Sequence, residues 1–372
     1  MSSTAKSPRL VLHMGPHKTA TTYLQYNFHR NRAELLRQGW LYPATGERVR
    51  TAHHDISDLR QTIVNQDSRL TRELQTIGED ARKRGLNILL SSEGFGLWKP
   101  RHLQRLVELL KTDGMHVVYA IRDPLSHFYA IWAQKVKNGS DESLPARYER
   151  HFADPSRSHL LNPMVELNPV LRQAGATATV LLYDEIVARK FDIFSVFMDR
   201  ALGITDIKPS ALDIRNQRFP IELTEFVRAL TPLAGLDTGR TQFKIGTAVD
   251  YFLTKAQKQT IVETLQTKAP EARLVLEVNR AASGLIPIEQ QVIRSIGHLL
   301  YPQPPAPDRL FTAETASWVH YDAEAFRQNP AVRKLMDQAL RRVGAKSPLM
   351  WAANAAFGAA ISFRQLRKRI GG

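Results

Sequence analysis

The stretch Leu10–Gln25, LVLHMGPHKTATTYLQ, restricts this chain more than any other. A short apolar run stops at Gly15 and Pro16, passes a lysine and three threonines, and continues with helical periodicity. That order predicts a buried strand, a tight loop and a helix start. Such a junction aims backbone N–H groups and the positive end of a helix at one point, which is how a chain holds an anion. Lys18 would add a charge there, and Thr19, Thr21 and Thr22 further hydroxyl donors. The lysine follows the glycine too closely for a nucleoside triphosphatase loop. A plain glycine turn with a solvated lysine is the alternative, and the combination of strand, turn, lysine and clustered hydroxyls favours the anion site.

Further along, two more apolar runs end in polar groups. NILLSSEGF predicts a short strand with Ser91, Ser92 and Glu93 at its carboxyl end, and MHVVYAIRDP a strand ending in Arg122, Asp123 and Pro124. A third, ATVLLYDEI, ends in Tyr183. Between these runs lie helical patterns at 69–84, 99–111 and 191–202. Strands alternating with helices predict an α/β fold with a mostly parallel sheet, in which ligands bind at the carboxyl ends of the strands. Glu93 is placed to take a proton from a hydroxyl, although a polar turn or cap explains it as well. His53 and His54 lie in the segment joining two strands, where either could face an acceptor. Adjacent histidines point apart and have few carboxylates near them, so no metal site is expected.

The 372 residues carry 51 Lys plus Arg against 36 Asp plus Glu, which favours an anionic partner. The basic residues are scattered and match no nucleic-acid-binding pattern, so nucleic acid is not the expected partner. The chain has no cysteine, which excludes disulfides and thiolate chemistry and fits a reducing, cytoplasmic setting. Neither a leader nor a membrane span is expected. Arg147, Tyr148, Arg150 and His151 are candidates for acceptor contacts or for a solvated helix face.

Beyond residue 205, helices are expected at Ile221–Leu230, Val249–Gln266, Ala272–Ser283, Pro287–Leu300 and Arg327–Val343. Asn216, Gln217 and Arg218 precede the first of these, and a Gly- and Thr-rich linker is expected between Pro232 and Gly246. The apolar, basic-ended tail after Ser347 reads as a buried helix, with peripheral membrane contact as the alternative.

HMGPHKTATTYLQ resembles the 5'-phosphosulfate loop of sulfotransferases that use 3'-phosphoadenosine 5'-phosphosulfate (PAPS), in particular the bacterial and carbohydrate-type branch, over roughly Leu10–Ile204. The resemblance implies a three-layer sandwich with a P-loop-like 5'-phosphosulfate loop. It also implies PAPS as co-substrate and a saccharide, glycolipid or small natural-product hydroxyl as acceptor. Gly15, Pro16, His17, Lys18, Thr19, Ala20, Thr21 and Thr22 would form the 5'-phosphate loop, with Tyr23 and Tyr183 toward the adenine. SSEGF resembles the variant with glutamate as base. Arg122 matches the 3'-phosphate arginine, but the serine expected eight residues later is Ala130. Ser126, one turn earlier, is the nearest substitute, with Lys135 and His127 as further candidates. The implied organisation is a flexible 1–8, a PAPS-binding core over 9–205 and a mainly helical region over 206–372. An ATP-dependent small-molecule kinase and a degenerate nucleotide- or anion-binding partner protein remain open alternatives.

Overall fold

The structure is a computed structural model, and it describes residues 7–47, 52–58, 64, 68–210, 219–233 and 245–343. Among them the strands are β1 (Leu10–His13), β2 (Trp40–Leu41), β3 (Asn87–Ser91), β4 (Met115–Ile121), β5 (Ala176–Leu182), β6 (Arg273–Asn279), β7 (Leu300–Tyr301) and β8 (Thr315–Tyr321). Six form one sheet in the order β2-β3-β1-β4-β5-β7, and every neighbouring pair is parallel. After β3 the chain crosses β1 to reach β4 and goes on building the other side. The switch in direction therefore falls at β1, the place where open α/β sheets bind ligands.

Period-two alternation sends neighbouring side chains of each strand to opposite faces. Val11, Leu89, Val118, Ala120 and Leu181 share a cluster with Leu24 and Phe28 of helix Thr21–Arg30 and with Phe194 and Phe197 of helix Ile193–Phe197. Phe28 and Phe197 meet with ring centroids 4.8 Å apart. Leu10, Leu12, Leu90, Val117 and Tyr119, the alternate residues, are buried as well, so both faces are covered, as a parallel sheet requires. Full burial of a side chain such as Phe28 contributes about 1.5–3 kcal/mol.

Local signals set the helix ends. Ser68 accepts from the Thr71 N–H at 3.1 Å to start helix Arg69–Arg84, and Gly85 (φ 65) stops it. Pro100 opens helix Pro100–Leu110 at a position where its missing N–H costs nothing.

The chain divides into two compact units. The first, Met1–Ile131 with Glu149–Asn216 and Val278–Ala316, contains the six-stranded sheet. The second, Trp132–Tyr148 with Gln217–Glu277 and Ser317–Gly372, contains helices Ile221–Leu230, Ile245–Phe252 and Lys255–Lys268. Inside it the buried Glu225 and Arg228 are ion-paired, and both bind the main chain of Tyr321 at 3.0 Å.

The C-terminal region is helical, with strands that the periodicity concealed. The segment expected as helix Ala272–Ser283 is instead β6, paired with β8. Leu274, Leu276 and Val278 alternate in RLVLEVN, and its hydrogen-bonding partner lies far away in sequence, so a short window reads either way. The helix expected at Pro287–Leu300 runs Leu285–Ile296, and Leu300–Tyr301 leaves it to join β5. Asn216–Arg218, most of the expected linker (234–244) and the tail from 344 onward lie outside the described residues. Among the described residues no helix is long and apolar enough to cross a membrane.

Candidate functional site

β1 ends at His13. The Met14 N–H still bonds the Val118 carbonyl at 3.0 Å, and the chain then leaves the sheet. Gly15 has φ 138, and a Cβ there would lie 3.3 Å from both the Ala120 nitrogen and Tyr119 Cδ2. Conformation and space thus both demand glycine. Lys18 (φ 72) and Ala20 (φ 60) also take left-handed backbone, which costs a non-glycine residue about 1–2 kcal/mol. Strain of this kind concentrates where the rest of a fold imposes it for a purpose. The helix begins at Thr21 without a side-chain cap, leaving the N–H groups of its first turn at the mouth of the loop.

The three threonines divide their roles. Thr19 is buried and donates to the Pro16 carbonyl at 2.8 Å, bracing the loop from within. Thr21 donates to Glu93 Oε1 at 2.5 Å. Thr22 occupies the second helical position, half-buried.

Glu93 follows the end of β3, and its side chain is 8% exposed. Besides Thr21 it accepts from Gln25 Nε2 at 3.0 Å, and His17 Nδ1 stands 3.5 Å from Oε1 with the imidazole 67% exposed. Thr21 and Gln25 are four residues apart, on one face of the helix, so a single carboxylate spans them. Burial opposes ionisation, but the hydrogen bond and charge of His17, then the Thr21 hydroxyl and the Gln25 amide, outweigh it. The carboxyl is held well below the usual range.

The two histidines separate. His53 is fully buried; its Nδ1 accepts from the Ser91 N–H at 3.0 Å and its Nε2 faces the Pro43 carbonyl at 3.0 Å. Those partners fix the tautomer with the proton on Nε2 and occupy both nitrogens, so His53 secures the end of β3 and has neither left for an acceptor. Burial brings its pKa down to about 4. His54 is half-buried, with Nδ1 3.1 Å from Ser92 Oγ, the hydroxyl that also accepts from the Gly94 N–H at 3.3 Å. It stands beside the turn that carries Glu93.

Arg122, at the end of β4, donates to the Lys18 carbonyl at 2.8 Å and through Nε to Ser126 Oγ at 3.2 Å, with its guanidinium 5.5 Å from the centre of the Tyr183 ring. Ser126, one turn before Ala130, is thus the hydroxyl that meets Arg122. Asp123 does not pair with Arg122. It binds the fully buried Arg280 at 2.7 Å, and its N–H donates to Asp184 Oδ2 at 2.6 Å. Arg280 also pairs with Glu289. Tyr23 donates to Asp192 at 2.7 Å, and burial followed by that contact raises its pKa. Tyr23 and Tyr183 pack against the same cluster as Phe28. Of the acceptor candidates at 147–151, Arg147 is buried against Glu142 at 2.9 Å and His151 meets Ser158 at 2.8 Å.

Sequence reasoning overlooked Glu166, on helix Met164–Leu171. It is buried, accepts from the Tyr119 hydroxyl at 3.0 Å, and lies against Gly96, where a Cβ would come 2.7 Å from Oε2. Burial, only partly offset by Tyr119 and the charge of His17, raises its pKa to about 6. A lone carboxylate inside the apolar run MVELNPVL was the available signal. Among the described residues no three His, Asp or Glu side chains converge to hold a metal ion.

The adjacent strands β3, β1 and β4 thus present, at their carboxyl ends, an ionised glutamate, a strained loop opening a helix, and an arginine bonded to that loop. Comparison of the chain with known proteins finds no matching family model, no curated relative and no matching solved structure.

Proposed function

We propose that the protein transfers a sulfonyl group from PAPS to a hydroxyl acceptor. The observation that carries this reading is the hydrogen bond from Arg122 to the Lys18 carbonyl, which ties the anion loop to a second cation at the next strand end. One cationic loop suits any phosphate; two linked cationic stations suit a nucleotide phosphorylated at both 5' and 3' positions. The Gly15–Ala20 loop, Lys18, Thr22 and the first-turn N–H groups would receive the 5' group, with the loop acting as a 5'-phosphosulfate loop in a three-layer sandwich. Arg122 with Ser126 would receive the 3'-phosphate, and Tyr23 and Tyr183 would flank the base.

In the reaction the acceptor oxygen bonds to sulfur as its proton passes to Glu93. The bond between sulfur and the 5'-phosphate oxygen breaks, and the bisphosphate departs with that electron pair, its charge met by Lys18 and the loop amides. Tight donors lower the basicity of Glu93. His17, mostly exposed, is the partner an incoming hydroxyl can displace, and its departure restores part of that basicity. The absence of cysteine accords with an intracellular setting.

Calorimetry against 3'-phosphoadenosine 5'-phosphate, with ATP as control, tests the reading. Selective binding of the bisphosphate is expected, and equal or absent binding would overturn it.

A further inference from the structure

β6 and β8 form a ribbon of two strands. The Asp322 N–H donates to the Ala272 carbonyl at 2.8 Å, and the Arg280 N–H to the Glu314 carbonyl at 2.9 Å. The strands therefore run antiparallel, and these two bonds fix the phase. Between them the even-numbered residues of β6 turn their main-chain groups toward β8, and Arg273, Val275 and Glu277 turn theirs outward. β8 follows the same alternation. The Tyr321 N–H, facing away from β6, bonds Glu225 at 3.0 Å, and the Tyr321 carbonyl accepts from Arg228 at 3.0 Å. The outer side of β8 is engaged there, whereas among the described residues no strand lies on the outer side of β6.

That edge lacks the usual guards. Arg273–Asn279, RLVLEVN, holds neither the proline nor the lysine that keeps strand edges apart, and Leu274 and Val275 are 43% and 45% exposed. The order of residues is also symmetrical about Val275: leucines flank it at 274 and 276, and beyond them stand the exposed Arg273 and Glu277. A second copy laid antiparallel and centred on Val275 sets each Arg273 opposite Glu277 of the other copy, Leu274 opposite Leu276, and Val275 opposite Val275. The main-chain phase agrees, because Arg273, Val275 and Glu277 are the residues whose N–H and carbonyl groups face outward. A parallel copy would set arginine against arginine, and a slip of one residue would mismatch both the charges and the hydrogen bonds.

We propose that the outer edge of β6 is an interface with a second copy of this chain, whose own β6 adds antiparallel about a twofold axis at Val275 to give a four-stranded sheet in the order β8-β6-β6-β8. The inference is independent of the transferase reading. Main-chain hydrogen bonds and the covered leucines and valine supply the affinity, as in other strand additions, and the surface charges chiefly set the register. A twofold interface uses the same edge on both copies, so pairing stops at two.

The full chain is followed by sedimentation velocity over a concentration series, with circular dichroism checking the fold of each variant. The parent should pass from one copy to two as concentration rises. Val275→Pro removes an N–H that β8 does not use, so the ribbon is kept and self-association should weaken by at least about tenfold. Arg273→Glu and Glu277→Arg each set like charges opposite one another twice per dimer, and each should weaken it by about tenfold. An equimolar mixture of these two variants restores both opposite-charge pairs, as does the double variant, and either should regain the parent's affinity. A parent that stays monomeric up to about 100 µM overturns the proposal; slow hydrogen exchange at the Val275 N–H of that monomer would assign the edge to a segment of the same chain. Self-association unmoved by Val275→Pro in a folded variant also overturns it. So does failure of both the mixture and the double variant to recover what the single changes remove.

Discussion

At the scale of single residues, the site depends on which partner each polar group has. Glu93 has two internal donors that orient it and one exposed neighbour that can leave. Glu93→Gln preserves its shape and removes its capacity to accept a proton, so transfer should fall by about 10²–10⁴-fold with bisphosphate affinity retained. Single-turnover rates and calorimetry on the same preparation check this; undiminished turnover would move the base to His54 or Glu166. The position of Glu93 was legible because a glutamate directly after an apolar run stands at a strand end. The inward turn of Thr19 and the burial of His53 were not legible. Both depend on carbonyls, of Pro16 and Pro43, whose positions only the folded loops define.

At the scale of elements, close approach can outweigh intrinsic preference. Helix Arg69–Arg84 carries Gly78, where a Cβ would lie 2.5 Å from the Leu110 carbonyl oxygen at the end of helix Pro100–Leu110. Alanine is favoured over glycine inside a helix by about 1 kcal/mol, yet the clash is with backbone and forces the two helices apart. Gly78→Ala should therefore destabilise the protein by about 1–3 kcal/mol, read as a lower urea midpoint. An unchanged or raised midpoint would show that the helices separate without cost. Both helices were readable from their periodicity, at 69–84 and 99–111. The contact between them was not, since a glycine in mid-helix looks the same whether or not a neighbour presses on it. β6 was missed for a related reason: its partner β8 lies beyond any local window.

At the scale of the whole molecule, buried histidines set the response to acid. His13, His53 and His127 each have a pKa brought down to about 4, desolvation being the largest cause. The unfolded chain takes up these protons near pH 6.5 and the folded chain does not. Each histidine therefore supports the fold fully above pH 6.5, and that support is lost as pH falls toward 4, at on the order of 3 kcal/mol apiece. Glu166 runs the other way, its support complete below about pH 4.5 and gone above about 6, at on the order of 2 kcal/mol. Burial raises Asp184, Glu225 and Glu289 in the same sense as Glu166, but it also lowers His116 and His320, and hydrogen-bond donors hold Glu93 low. Together with the three deeply buried histidines, His116, His320 and Glu93 outweigh the raised carboxyls, so the melting temperature should drop from pH 7 to pH 4; a flat or rising profile would contradict the burial assigned to the histidines. The order of the sheet has a consequence for the protein during its synthesis. β5 is hydrogen-bonded on its outer side by Leu300–Tyr301, so the edge of β5 stays open until the ribosome has added more than a hundred further residues, an interval on the order of ten seconds. Over that interval the nascent chain displays a bare apolar strand edge, the feature that chaperones shield and that neighbouring chains can capture.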